Sequence, residues 1–172
     1  METPRAQSEK ISPYWKESLN LTFKECVKVS PEILESKIVV DLGCGKGYWE
    51  ELLLKKLPKL ETVHAIDYHD MLDNKLKTNP KIYFYKGMLP ESLKLLPEDI
   101  KTDFLVMANL ESEVFQTDNQ VELLNKVLGK GTMLMFGDNA EMDRSTLFHL
   151  YFDKTYQPKW TNFLSLWKTN NK

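Results

Sequence analysis

The chain has 172 residues, a formal net charge of −2, 42% hydrophobic residues and 28% charged residues. At roughly 100–200 residues per domain this is one domain, able to bury about 70% of its unfolded surface and too short for a catalytic domain beside a separate substrate domain. The near-neutral balance demotes a general nucleic-acid binder, which would carry a strong basic excess, although local lysine clusters leave the class open.

In chain order, residues 1–12 are polar and expected to fray. A helix is predicted from Pro13 to Val29, with Trp15, Leu19, Phe23, Cys26 and Val27 at helical spacing. Lys16, Glu17, Lys24 and Glu25 form its solvated face. Ser30-Pro31 opens a short helix, with Pro31 suited to a first helical position. From Lys37 onward short apolar runs alternate with amphipathic stretches. The runs are Lys37–Asp41, Thr62–Asp67, Lys81–Lys86, Asp103–Met107 and Thr132–Phe136. Helices are predicted between them at Tyr48–Lys56, Asp70–Lys77, Pro90–Leu96 and Asp118–Val127. Such alternation indicates βαβ crossovers and a mostly parallel sheet, and the continuous apolar strands fit burial on both faces. A further helix is predicted at Met142–Asp153, followed by a strand at Trp160–Lys168, antiparallel at or near the far edge. The expected fold is a single α/β Rossmann-like domain spanning residues 1–172. Within it lie an N-terminal helical segment (1–36), a core (37–137) and a C-terminal helix with an edge strand (138–172).

Two cysteines, Cys26 and Cys44, cannot make a disulfide framework, and without a C-x-x-C pair or clustered histidines no metal site is expected. No apolar run approaches the ~18 residues that span a bilayer, and Met1–Lys10 lacks the apolar core of a signal peptide. The expectation is a cytoplasmic protein without a membrane partner.

The most informative segment is Val39-Val40-Asp41-Leu42-Gly43-Cys44-Gly45-Lys46-Gly47-Tyr48: a buried strand, a glycine turn and the start of a helix. Glycines admit positive φ and let a ligand approach the backbone, and the helix N-terminus offers free N–H groups. The dinucleotide fingerprint G-x-G-x-x-G would place a small residue where Tyr48 stands. A P-loop would need a glycine further upstream and a hydroxyl residue after Lys46, and neither is present. Both phosphate-binding readings lose ground on spacing.

These ten residues resemble the first motif of the class I S-adenosylmethionine-dependent methyltransferases. The resemblance spans about residues 37–137. It implies a loop of Gly43, Cys44, Gly45 and Gly47 that holds the methionine end of the cofactor, with Asp41 near the ammonium. It further implies ribose binding by Asp67, at the end of the second strand and 20 residues after Gly47. Tyr68 and Met71 would flank the adenine, as would Met88 and Leu89, although Gly87-Met88 stands where the family often has Gly-Asp, so no carboxylate meets the adenine amino group. Ala108, Asn109, Leu110 and Glu111, after the fourth strand, would border the donor methyl. Gly129-Lys130-Gly131 matches the family's structural turn before the fifth strand. The signature of amino-methylating enzymes, N-P-P-Y or D-P-P-Y, is absent. Seven-stranded members need two strands after Gly137; Trp160–Lys168 is one, and Thr155–Lys159 is the candidate stub of the other.

The activity so implied is transfer of a sulfonium methyl by in-line displacement, which requires alignment and sometimes a base, but no metal. Candidate bases are Glu111, Glu113, Asp138 and His149; His64 reads as structural, and His69 lies beside the ribose region. Tyr14, Trp15 and Tyr48 are the candidates for a lid or substrate wall, against the alternative of a first helix simply packed on the sheet. A small-molecule acceptor is favoured over protein or RNA. A non-catalytic S-adenosylmethionine-binding module and a domain for another nucleotide such as NAD are the competing readings. The oligomeric state is not legible.

Overall fold

The computed structural model describes residues 4–108, 110, 114–137 and 145–170, with side chains of the first helix from Pro13 onward. Helix α1 (Pro4–Val29) and a short 3-10 turn at Pro31–Glu35 lead into strand β1 (Ile38–Leu42). There follow α2 (Tyr48–Lys56), β2 (Thr62–Asp67), α3 (Asn74–Lys77) and β3 (Ile82–Lys86). After a 3-10 turn at Glu91–Leu95 come β4 (Phe104–Ala108), α4 (Asp118–Leu128) and β5 (Thr132–Phe136). Helix α5 (Thr146–Tyr151), β6 (Phe152–Tyr156) and β7 (Leu164–Thr169) complete the described chain.

One seven-stranded sheet runs β3-β2-β1-β4-β5-β7-β6. The first five strands are parallel, and β7 is antiparallel to both β5 and β6. The α/β Rossmann-like expectation is met. The chain winds outward from β1 to β3, then returns to the other side of β1 to lay down β4. That reversal opens a crevice at the C-terminal ends of β1 and β4, where open α/β sheets receive ligands.

The pleat divides the core. Val39, Val63, Val106 and Leu134 meet α1 and α2 through Leu19, Phe23, Trp49 and Leu53. Val40, Leu42, Leu105 and Met133 turn to the opposite face, where α4 and α5 supply Val121, Leu124, Leu128 and Phe148. Successive strand residues point to opposite faces, so Asp41 shares the face of Val39 and looks toward α2.

Several predicted bounds move, each for a local reason. Helix α1 is continuous from Pro4 through Pro13, because a proline removes one N–H bond without ending the turns on either side. The helix expected over Asp70–Lys77 shrinks to α3. Asp67 holds the backbone of His69 in a turn, and Asp73 caps the shortened helix by accepting from Lys75 N at 2.8 Å. Pro90–Leu96 forms a 3-10 turn rather than an α-helix. Of the helix expected over Met142–Asp153, the described part is α5, capped by Ser145; residues 142–144 lie outside the described residues. At Phe152 the chain enters β6, where burial switches to period two: Phe152 is buried and Asp153 exposed. The missing strand is therefore Phe152–Tyr156, earlier than Thr155–Lys159. The last strand starts at Leu164 rather than Trp160 and lies one place in from the edge that β6 occupies. Trp167, which this insertion buries completely, packs edge-on against Phe148 at 5.2 Å and donates through its indole N–H to Ser165 Oγ at 2.7 Å.

Gly131 stands just before β5, against the backbone that leads into β4. A Cβ there would stand 2.3 Å from the Thr102 carbonyl oxygen and 3.0 Å from that of Asp103. Both are backbone atoms, so the strands would have to part. Gly131→Ala is expected to cost about 1–3 kcal/mol of stability, the usual range for overpacking. An unchanged urea midpoint would contradict so close an approach.

Candidate functional site

The site begins with three glycines that the backbone requires. Gly43, Gly45 and Gly47 have φ of +82°, +54° and +89°, values an L side chain rarely adopts. They fold the chain from β1 into α2 in a turn whose amides are tied to β2. Gly43 N and Cys44 N donate to the Ile66 carbonyl at 2.8 and 3.1 Å. Gly45 N donates to Asp67 Oδ2 at 2.8 Å, and His69 N to Asp67 Oδ1 at 2.7 Å. Asp67 thus organises two loops at once, and each of its oxygens keeps a lone pair for an outside donor.

Over this turn lies a cleft of about 310 Å³. Its floor is Gly43, Cys44 and Gly45, one side is Asp67, and Ala108 and Leu110 close the β4 end. Trp15 of α1 and Tyr48 of α2 also line it. Trp15 packs on Phe136 at the end of β5, with ring centroids 5.3 Å apart. Lys16 joins α1 to α2 by pairing with Glu51 at 3.4 Å, and its ammonium lies 5.1 Å from the centre of the Tyr48 ring. Helix α1 therefore both packs on the sheet, through buried Leu19, Phe23 and Cys26, and lends one aromatic to the cleft. A larger space of about 620 Å³ lies at the other end of the strands, around Thr102, Asp103 and Gly131. It has neither the glycine turn nor the strand C-termini, and the chemistry is argued from the smaller cleft.

The sequence-predicted residues separate into three groups. Gly43, Cys44, Gly45, Asp67, Trp15 and Tyr48 line the cleft. Asp41 and Gly47 sit one layer beneath it, and Leu89 packs with the α4-side core. Tyr68 and Met88 are more than half exposed, and Tyr14, at 78%, stands out in solvent rather than over the cleft. His149 lies away from it: the ring rests on Trp167 at 5.2 Å, and Trp167 pairs with Met133 near the start of β5. Asn109, Glu111, Glu113 and Asp138 lie outside the described residues. His64 is structural. It stacks with Tyr83 and Tyr85, its Nδ1 is 2.9 Å from the Tyr85 hydroxyl, and burial lowers its pKa.

Glu50 was missed by sequence reasoning. It is fully buried in the first turn of α2 and faces Asp41, also fully buried. Its signal was present, since Glu50, Leu53 and Leu57 recur at the i, i+3, i+7 spacing of a buried helix stripe. By geometry no side-chain donor of the described residues hydrogen-bonds an oxygen of either carboxyl, and the two acids face one another. Burial, mutual repulsion and Asp67 push Asp41 well above the carboxylate range, and burial raises Glu50 to about 7. The same burial and the three acids push the Cys44 thiol up, so it is no thiolate nucleophile. Burial, with Glu25 nearby, likewise pushes Cys26 up to about 12.

The sequence matches a family model described as FtsJ-like methyltransferase over residues 21–142. None of the curated proteins matches the chain. Among solved structures, it is similar to N,N-8-amino-8-demethyl-D-riboflavin dimethyltransferase (RosA) from Streptomyces davawensis. The TM-score is 0.65 at 12% identity, covering 98% of this chain and 57% of that one. It is also similar to the N-methyltransferase NodS from Bradyrhizobium japonicum WM9, at TM-score 0.56 and 13% identity, covering 79% and 87%. A SAM-dependent methyltransferase from Aquifex aeolicus gives TM-score 0.56 at 18% identity, covering 77% and 81%. At such identities the likeness is one of fold, and the chain spans little more than half of the riboflavin enzyme.

Proposed function

The chain belongs to the FtsJ-like methyltransferase family and is an S-adenosylmethionine-dependent enzyme, and from that premise we propose how its residues divide the work. The observation that carries the assignment is the bare backbone of Gly45. It faces the cleft, no heavy atom lies within 4 Å of where its Cβ would be, and its amide is already oriented by Asp67. A methionine chain can lie against such a surface, with the buried acids beneath suiting its ammonium. Asp67, with lone pairs to spare, accepts from the ribose hydroxyls.

When bound, the cofactor supplies an electrophilic sulfonium methyl. The chain's own contribution is to bind, orient and exclude water. Gly43 to Gly47 fix the donor, Ala108 and Leu110 give the far end an apolar border, and Trp15 with Tyr48 walls the approach. Alignment of this kind can contribute roughly 7–11 kcal/mol without any base. Asn109 is proposed beside the methyl, Glu111 and Asp138 as bases where the acceptor needs one, and Tyr68, Met88 and Leu89 along the adenine. His149 has no part in this proposal.

The favoured acceptor is a small organic molecule. A cleft of about 310 Å³ lined by aromatics suits it, and the chain's net charge of −2 does not suit a polyanion. The whole chain is proposed to act as one domain in the cytoplasm; among the described residues no helix is long and apolar enough to cross a membrane. The test is calorimetric titration with S-adenosylmethionine, its demethylated product and NAD, followed by transfer of labelled methyl into metabolite, peptide and RNA pools. Label in metabolites supports the small acceptor. Label in RNA or peptide overturns it, and cofactor binding without transfer to any pool favours a module acting through a partner. Trp15→Ala is expected to lower transfer at sub-saturating acceptor about tenfold, the worth of one lost aromatic contact, while cofactor affinity stays within threefold. An equal loss in both would make Trp15 part of the cofactor site instead.

A further inference from the structure

The carboxyls of Asp41 and Glu50 are the least expected feature of the interior. Strand β1 turns Asp41 toward α2, and α2 turns Glu50 back, so two acids meet in a layer otherwise filled by Val39, Trp49 and Leu53. Glu50 Oε2 lies 3.4 Å from the position of a Cβ on Gly47, directly under the turn that floors the cleft. Ionised carboxylates only accept, so two of them in contact without a donor are each unsatisfied and repel one another. A buried unpaired charge is costly, and a second beside it more so.

We propose that Glu50 is a cofactor-positioning residue that acts through Asp41: the two carboxyls share one proton, and the single negative charge left under the glycine turn is what the cationic end of the cofactor meets. This rests on the reading that the turn holds the methionine end. The groups facing the pair are few. Asp67 comes from the end of β2 and disfavours further negative charge on the pair, while the Cys44 thiol of the turn is itself pushed up by the acids and stays neutral. Lysine 46 of the turn lines the cleft itself, and α1 directs Lys16 to Glu51 and Tyr48. No lysine, arginine or histidine among the described residues hydrogen-bonds either carboxyl. The countercharge is thus left to the ligand.

The sign of the linkage follows. Glu50 titrates near 7, so below that pH the pair gains its second proton and becomes neutral. Binding of a cation then requires that proton to leave, and affinity falls as pH falls. In the empty protein the direction reverses. A carboxyl raised above its unfolded value of 4.5 favours folding most at low pH, and that contribution is lost as pH rises through about 7.

The experiment is calorimetry on the full chain from pH 5.5 to 7.5, in buffers of different ionisation enthalpy, with S-adenosylhomocysteine and with methylthioadenosine, which lacks the amino-acid end. Wild type is expected to gain about tenfold in affinity for S-adenosylhomocysteine as pH rises from 5.5 to 7.5 and to release a proton on binding at pH 6. Methylthioadenosine should show neither effect. In Glu50→Gln the amide donates to Asp41 and fixes the charge, so the affinity curve flattens and proton release disappears. The ligand's own amine titrates alike against both proteins, so the difference between the curves belongs to Glu50. As a readout without ligand, the melting temperature of Glu50→Gln should rise relative to wild type between pH 5 and pH 8. Parallel affinity curves for the two proteins, or the same slope with methylthioadenosine, would overturn the proposal while leaving the methyltransferase reading intact. No binding of S-adenosylhomocysteine at any pH would overturn both.

Discussion

Gly45→Val is expected to abolish cofactor binding and leave the domain folded. Two effects combine at this position. The backbone is held at φ +54°, a conformation that a β-branched residue enters only with strain of about 1–3 kcal/mol. The new side chain would also project into the cleft, where the methionine end is proposed to lie. Its Cβ meets no heavy atom of the protein within 4 Å, so the core is not forced apart. The expected result is a melting temperature lowered by a few degrees, with no detectable heat for S-adenosylmethionine at millimolar concentration. Binding within tenfold of wild type would remove Gly45 from the site. A change at Gly47 should behave differently. A Cβ there would lie 2.3 Å from Leu76 Cδ1 and 2.5 Å from Leu72 Cδ1, so Gly47 variants should fail in folding before they fail in binding.

Asp67→Ala is expected to weaken cofactor binding at least tenfold, or about 1.4 kcal/mol. The loss has two sources. The ribose hydroxyls lose their acceptor, and the amides of Gly45 and His69 lose the carboxylate that orients them. Hydrogen bonds to a charged group contribute roughly 1.5–3 kcal/mol, so the loops should loosen measurably as well. Asp67→Asn separates the two contributions. Its one remaining carbonyl oxygen can serve either Gly45 or His69, while the amide nitrogen opposes the other N–H. Affinity measured with S-adenosylhomocysteine should fall for both variants, further for alanine. An unchanged affinity in Asp67→Ala would refute the ribose assignment.

The legible and illegible parts of this molecule differ in the range of the interactions that fix them. The bounds of α2, β2 and β5 coincide with their sequence expectations because glycine, charge and apolar runs mark both ends locally. Asp67, singled out by the resemblance, lies beside the glycine turn because the end of β2 brings it to the crevice. By contrast, α5 ends where Phe152 pairs with Thr169, a partner well down the chain, and no local signal marks that point. Tyr14 and Trp15 are adjacent and chemically alike. Only the pitch of α1 against β5 turns one onto Phe136 and the other into solvent.

The amino-acid sequence by itself determined the order of strands and helices along the chain and the glycine turn at the end of β1, because each is written in a short window of φ preferences, periodicity and side-chain type; the class of cofactor came from the resemblance of that turn to the first motif of a known family. The tertiary structure alone decided that β7 enters the sheet inside β6, that Trp15 overlooks the cleft and that Glu50 meets Asp41 beneath it. Those contacts depend on the register and crossing of elements that the chain brings together only once the whole sheet has closed. The acid pair shows the distinction most sharply. Asp41 was legible as a motif residue and Glu50 as one side of a helix, but they meet only because the pleat of β1 and the pitch of α2 point both carboxyls into the same dry layer.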